Sequence, residues 1–250
     1  MQLLKKFSFT IFGLFAVGDI ILMLAELGRY RYLTKPFLLP LLLLTILANV
    51  SGHRHPVSKP LLIAAMLAGT LGDILLMGGD NNKSLFIYGL LSFLVMQLLY
   101  SIYFFKMQSI KSKFLVNNII ILVGLGSYSS VLVIFLWNFL GDLKLPVIVY
   151  AVVISIMFFS AANIYHSRRA QKLAVRYFIP GAALLVLSDS ILAINKFYLK
   201  ADVYAVSVMV TYILGQVFLS LGFIRHFKSN RHTNRRKKEM HDGEEEMAVD

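Results

Sequence analysis

The chain has 250 residues, 58% of them hydrophobic and only 15% charged, with a mean hydropathy of +0.71. Soluble domains run at about 45–50% apolar and about 25% charged residues, so a soluble fold is excluded before any motif is read. The net charge of +12 does not point to nucleic acid, because most of the excess sits in loops and the tail. The absence of cysteine excludes disulfides, thiolate metal sites and cysteine nucleophiles.

Taken in chain order, apolar runs near the ~20 residues needed to cross a ~30 Å hydrocarbon core predict eight spans. They fall at about 7–26, 35–50, 60–78, 84–106, 114–140, 145–166, 177–199 and 203–226. The first run follows Lys5-Lys6 and resembles a signal peptide. Asp19 interrupts it and no small-residue cleavage site follows, so it reads as an uncleaved span. The second, opened by Lys35-Pro36, is the shortest, and the third opens in the same way with Lys59-Pro60. Proline suits the first turn of a helix, where its missing N–H has no partner to lose. Val17-Gly18-Asp19-Ile20-Ile21-Leu22-Met23 in the first run is echoed by Leu71-Gly72-Asp73-Ile74-Leu75-Leu76-Met77 in the third, an echo too short to establish a duplication. No run alternates as a membrane barrel does. The expected class is therefore all-α: a polytopic transmembrane helix bundle over 1–226, with a disordered charged tail over 227–250.

Lysine and arginine set the expected orientation. With the N-terminus inside, 18 of them lie on the inner side and 7 on the outer, so both termini are expected in the cytoplasm. The tail is basic from Arg225 to Lys238 and mostly acidic from Glu239 to Asp250. Its basic part suits the anionic headgroups of the bilayer.

Three carboxylates interrupt the apolar runs: Asp19, Asp73 and Asp189. An acid deep in a bilayer costs about 2.5–3.5 kcal/mol even on lenient scales, so each is expected to face the bundle interior and to have a functional reason. All three lie on odd-numbered spans, about 18–20 Å along the helix from the inner end at 1.5 Å per residue, and so at one depth. Further polar residues share helix faces at three- or four-residue spacing: Gln97 with Tyr100, and Tyr212 with Gln216. Ser92, Asn163, Ser188 and Ser190 also lie within spans. Hydrogen bonds that hold helices together account for such residues taken singly.

The six histidines fall in loops, at helix ends or in the tail, so no metal site of histidine and carboxylate is expected. No Gly-x-Ser-x-Gly, His-Glu-x-x-His or phosphate-loop pattern is present. What remains is a pair of acids in an apolar site, where one can hold a proton as general acid while the other acts as base.

Five short motifs occur in order: Lys35-Pro36, Leu71-Gly72-Asp73, Ser92-Phe93 through Leu98-Leu99-Tyr100, Gly181-Ala182 through Ser188-Asp189-Ser190, and Tyr212 through Gln216. Together they resemble the YhhN family of integral membrane proteins, from about residue 17 to 226. The resemblance implies a lysoplasmalogenase, which hydrolyses the vinyl-ether bond of a lysoplasmalogen to a fatty aldehyde and a glycerophospho-alcohol. It implies Asp73 and Asp189 as the catalytic carboxylates and Lys35, Tyr100, Tyr212 and Gln216 as pocket residues, with Asp19 and Gln97 added as substrate-binding candidates. Gln97 stands where that family commonly has histidine. Glutamine hydrogen-bonds but does not shuttle protons at neutral pH. The implied partners are a lysophospholipid substrate and the bilayer itself, with no cofactor, no metal and no nucleic acid. The implied location is a bacterial inner membrane. Other readings of the same acids are a proton- or cation-coupled transporter, an intramembrane aspartyl protease built on Gly72-Asp73, and a lipid-binding protein without activity. The weak repeat and the lack of broken helices count against the first, and missing companion motifs count against the second.

Overall fold

A computed structural model describes residues 2–50, 58–78, 82–108, 116–168 and 170–247. Eight long helices follow one another: α1 (Gln2–Leu24), α2 (Lys35–Val50), α3 (Ser58–Gly78), α4 (Lys83–Met107), α5 (Val116–Leu136), α6 (Lys144–Asn163), α7 (Ile179–Ile194) and α8 (Asp202–Met247). Eight segments are long and apolar enough to cross a membrane, and they match the eight expected runs. No strand occurs among the described residues. In hydrocarbon this is the simplest solution, because a helix satisfies its own backbone.

The second span is longer than its apolar run suggested. A 3₁₀ turn, Gly28–Leu33, leads directly into α2, so the continuous segment covers Gly28–Val50. The tail differs from expectation more plainly. Where disorder is expected from residue 227, α8 continues as helix through Met247. Residues 231–247 are rich in Arg, Lys, Glu and Met, straight-chain residues that lose little rotamer freedom in a helix. The loop residues His53, Arg54, His55, Lys111, Lys113 and Arg169 lie outside the described residues.

Helix order in space follows helix order in sequence for α1 to α4, each packed on the next; α6 then lies against α4, and α7 against α6 and α8. Helix α8 returns to the start of the chain and packs on α2 and α1 as well as α7, which closes the bundle. By contrast α5 leans mainly on α6 and exposes most of its apolar surface. In a bilayer that surface meets lipid, where Leu, Ile and Val are at no disadvantage.

Close approach of backbones holds the working helices together. A Cβ at Gly72 would lie 2.8 Å from the Phe93 ring, and one at Gly181 would lie 3.1 Å from the carbonyl oxygen of Gly215. These contacts bring α3 onto α4 and α7 onto α8, the small-residue packing that van der Waals association in lipid requires. Gly72→Leu is expected to destabilise the detergent-solubilised protein by about 1–3 kcal/mol, the usual cost of overpacking. Its thermal midpoint should fall; an unchanged midpoint would mean that α3 and α4 part without penalty.

The two ends of the bundle differ. Where α4 finishes and α7 begins, Tyr103, Phe104, Phe178, Phe223 and Phe227 form one buried aromatic block. His226 belongs to its edge: its Nδ1 lies 2.9 Å from the Tyr103 hydroxyl. At the other end, where α1, α3 and α7 finish, an open cavity of about 720 Å³ replaces the aromatic packing.

Candidate active site

The cavity floor is set by Leu76, Met209 and Leu192, each one turn or less from a polar residue buried beneath. Those polar residues form two groups around α3 and α8.

The first group joins α1, α2, α3 and α8. Asp73, only 2% exposed, lies 3.6 Å from the Lys35 ammonium through Oδ1 and accepts a 2.9 Å hydrogen bond from the Tyr212 hydroxyl through Oδ2. Lys35 is the first residue of α2, so its long side chain reaches down from the helix start. Gly72, one residue before the acid, lets Phe93 close over α3, and the Phe93 ring meets Tyr212 edge-on at 6.0 Å. Next to this pair sits Asp19. Arg31 donates from Nε to Oδ1 at 3.2 Å and from Nη2 to Oδ2 at 3.0 Å, and the Thr34 hydroxyl adds a 2.7 Å bond. Asp19 is wholly buried with both oxygens engaged. It clasps α1 to the turn before α2. The echo between the first and third runs thus has a structural counterpart, since both aspartates converge on cations four residues apart in one short segment.

The second group joins α4, α6 and α7. Tyr150 of α6 donates a 2.6 Å hydrogen bond to Asp189 Oδ2, and the Gln97 amide lies against both groups. Asp189 is only partly covered by protein. Its partners are neutral, whereas those of Asp73 include a cation. Gln97 is 1% exposed and its Oε1 has no hydrogen-bond partner among the described residues, an unusual state for a buried acceptor. Ser188 and Ser190, beside the acid, are taken up structurally: Ser188 donates to the Val208 carbonyl of α8, and Ser190 accepts from Tyr128 of α5.

Tyr212 belongs to the first group. It hydrogen-bonds Asp73. Below it, the Tyr100 hydroxyl donates to Gln216 Oε1 at 3.0 Å, and the Gln216 amide touches Met96 Sδ at 3.6 Å. No hydrogen bond joins Asp73 to Asp189 among the described residues; each acid has its own set of partners.

Residues 30–223 match the model of the YhhN family. The chain belongs to the YhhN family. Compared with curated proteins and with solved structures, it has no match. The part of this YhhN-family chain that matches holds Lys35, Asp73, Gln97, Tyr100, Asp189, Tyr212 and Gln216, while Asp19 lies before it.

Of the expected positions, the structure brings Lys35, Asp73 and Tyr212 into direct contact, places Gln97 against Asp189, and sets Tyr100 and Gln216 one layer deeper. Ser92 and Asn163 do not join them. Ser92 bonds back to the Tyr88 carbonyl of its own helix, and Asn163 lies at the far end of α6. Reading the sequence overlooked Arg31, Thr34 and Tyr150. Each was legible by depth: a cation and a hydroxyl just beyond the end of the helix that carries Asp19, and a tyrosine about 9 Å into α6 at 1.5 Å per residue, level with Asp189.

Proposed function

We propose that this chain is a membrane-embedded hydrolase that cleaves the vinyl-ether bond of lysoplasmalogens by general acid–base catalysis. One observation carries the reading. Two intramembrane carboxylates lie beneath an open cavity, one ion-paired with lysine and hydrogen-bonded to Tyr212, the other with only neutral partners among the described residues.

The chemistry asks for that asymmetry. Cleavage begins with proton transfer to the alkene carbon next to the one that bears oxygen, which leaves an oxocarbenium ion. Asp189 supplies this proton, because a carboxyl without a cationic partner in an apolar site is best accommodated uncharged. Asp73 remains a carboxylate beside Lys35, faces the cation with negative charge, and takes a proton from the water that adds to it. The hemiacetal then collapses: its hydroxyl proton departs as the aldehyde C=O forms, and the glycerol oxygen leaves as an alcohol with a proton of its own. One water is consumed. Tyr212, hydrogen-bonded to Asp73, is the group assigned to carry the proton from Asp73 back towards Asp189. The reaction calls for neither a metal nor an organic cofactor. Since Asp189 is only partly covered and α5 is loosely attached, the alkenyl chain is accommodated along α5, α6 and α7.

The test is aldehyde release from lysoplasmenyl-ethanolamine by the purified protein in detergent. Tyr150→Phe, which deletes the 2.6 Å bond to Asp189, is expected to slow release about 10–100-fold. An effect of that size corresponds to about 1.4–2.7 kcal/mol of transition-state positioning. Release unchanged by Tyr150→Phe would remove Asp189 from the proposed role of acid. Proton flux into liposomes without aldehyde release would instead establish a transporter.

A further inference from the structure

Helix α5 is held firmly at its two ends and only lightly between them. Near its start Asn118 is buried, and its Oδ1 lies 3.0 Å from His166 Nε2, just past the end of α6. Near its finish Leu136 and Leu140 are buried, and the Phe135 and Phe139 rings meet the Tyr198 ring at 5.2 and 5.1 Å. Tyr198 belongs to a π-turn, Asn195–Leu199, that prolongs α7. None of residues 119–135 is buried.

Two hydrogen bonds hold that middle stretch, and they fall at one level. The Tyr128 hydroxyl donates to Ser190 Oγ at 2.8 Å, and the Ser129 hydroxyl lies 2.9 Å from Ser155 Oγ. Ser190 and Ser155 donate their own protons to the Val186 and Ala151 carbonyls of their helices, so α5 supplies the donor in both bonds. The pair lies about 18 Å along α5 from its start, and Ser190 is the neighbour of Asp189. Single hydroxyl bonds between helices in a membrane are weak. A Cβ added at Gly124 or Gly126, just before them, would meet nothing within 4 Å, so no neighbour presses on α5 there. On the opposite face Val123, Val131 and Ile134 are exposed, and no described part of the protein backs them.

This mounting bears on how a lipid chain reaches the acids. The open cavity is lined by Arg29, Arg31 and Lys35, and a hydrocarbon tail threaded through it would have to pass these charged groups. From the side, the same tail stays among apolar surfaces until it meets Asp189, which is only partly covered. A helix clamped at its ends can bow outward at its middle by parting two hydroxyl bonds, with no change where it is clamped.

We propose that α5 is a lateral gate. Its middle bows away from α7 to admit one hydrocarbon chain from the bilayer to Asp189, and the Tyr128–Ser190 and Ser129–Ser155 bonds latch it shut. The inference rests on the hydrolase reading for the site to which the chain is brought, but the movement itself needs no turnover.

The chain has no cysteine, so a disulfide can be placed without competition. Ser129→Cys with Ser155→Cys sets two thiols where the hydroxyls are 2.9 Å apart, close enough to be bridged. Oxidation, checked by mass, then fixes the middle of α5 to α6. The purified full-length protein is placed in phosphatidylcholine nanodiscs. The probe is a single-chain phosphocholine lipid whose saturated ether chain carries a photoreactive diazirine near the ether oxygen. Labelling of α6 and α7 around Asp189 is read by peptide mass spectrometry. Oxidation is expected to lower it at least about tenfold, and reductant to restore it. Each single cysteine variant, treated alike, should label as the parent does. Tyr128→Phe with Ser129→Ala removes both latches and should speed labelling about two- to tenfold. Labelling indifferent to the disulfide overturns the gate, because the chain would then come through the open cavity. Labelling that the latch variant slows or leaves unchanged overturns it too, as does a parent protein that takes no label. The probe has no vinyl ether, so none of these results touches the hydrolase reading. Gated labelling in a protein that releases no aldehyde from lysoplasmenyl-ethanolamine would keep the gate and remove the reaction.

Discussion

The Asp189→Asn variant is expected to release aldehyde about 10²–10⁴-fold more slowly than the parent chain, the range that a positioned general acid contributes. Asparagine keeps the size of the side chain and can still accept from the Tyr150 hydroxyl, 2.6 Å away in the parent. It has no acidic proton to give to carbon. Asp73→Asn is expected to fall as far for a different reason: it removes the charge that faces the oxocarbenium ion and leaves the Lys35 ammonium without its partner. The two variants should separate in stability. Asp73→Asn leaves the part-buried Lys35 ammonium without its ion partner and lowers the thermal midpoint, while Asp189→Asn removes no ion pair and leaves the midpoint nearly unchanged. If aldehyde release by both variants stays within tenfold of the parent, the acid–base mechanism is wrong.

The second large effect concerns stability. Asp19 is wholly buried and Arg31 is 18% exposed, so removing either side chain alone uncovers a charge inside the bundle. Asp19→Leu is expected to cost about 3 kcal/mol, the lower end for breaking a buried pair because Arg31 can still reach water. Replacing both, Asp19→Leu with Arg31→Leu, should recover most of the loss, since a buried ion pair exchanged for well-packed apolar residues is often close to neutral. Thermal unfolding in detergent reads both. A double variant no more stable than the single would show that the pair contributes through geometry which leucine cannot supply. Asp19 lies before the segment that matches the YhhN family while Arg31 and Thr34 lie within it, and the clasp holds α1 to the turn that presents Arg31 and Lys35.

The spans were legible because the bilayer demands long apolar runs, and the eight runs became eight helices. The ends were not. The turn before α2 contains Gly28 and Arg29, polar signals that break an apolar window even though the chain stays helical. Beyond residue 227 the charged sequence signals departure from lipid, yet its composition still favours helix. Within the site, depth along parallel spans found the acids, and helix spacing found Tyr212 with Gln216. Spacing also paired Gln97 with Tyr100. The fold directs the first to Asp189 and the second to Gln216, because neighbours on one helix face can meet different helices. The partners of Asp19 and Asp189 come from segments 12 and 39 residues away, and such meetings are settled only by how helices pack.

The aromatic block at the far end of the bundle has a consequence for the cell's energy supply. A row of carboxylates, tyrosines and amides across a membrane is a ready path for protons, and a leak of that kind would run down any gradient the membrane holds. Here the polar row ends at Tyr100 and Gln216, and five packed aromatic rings lie between it and the opposite face. On the hydrolase reading proposed above, the block is expected to act as an electrical insulator, so that acid chemistry within the membrane makes no short circuit across it.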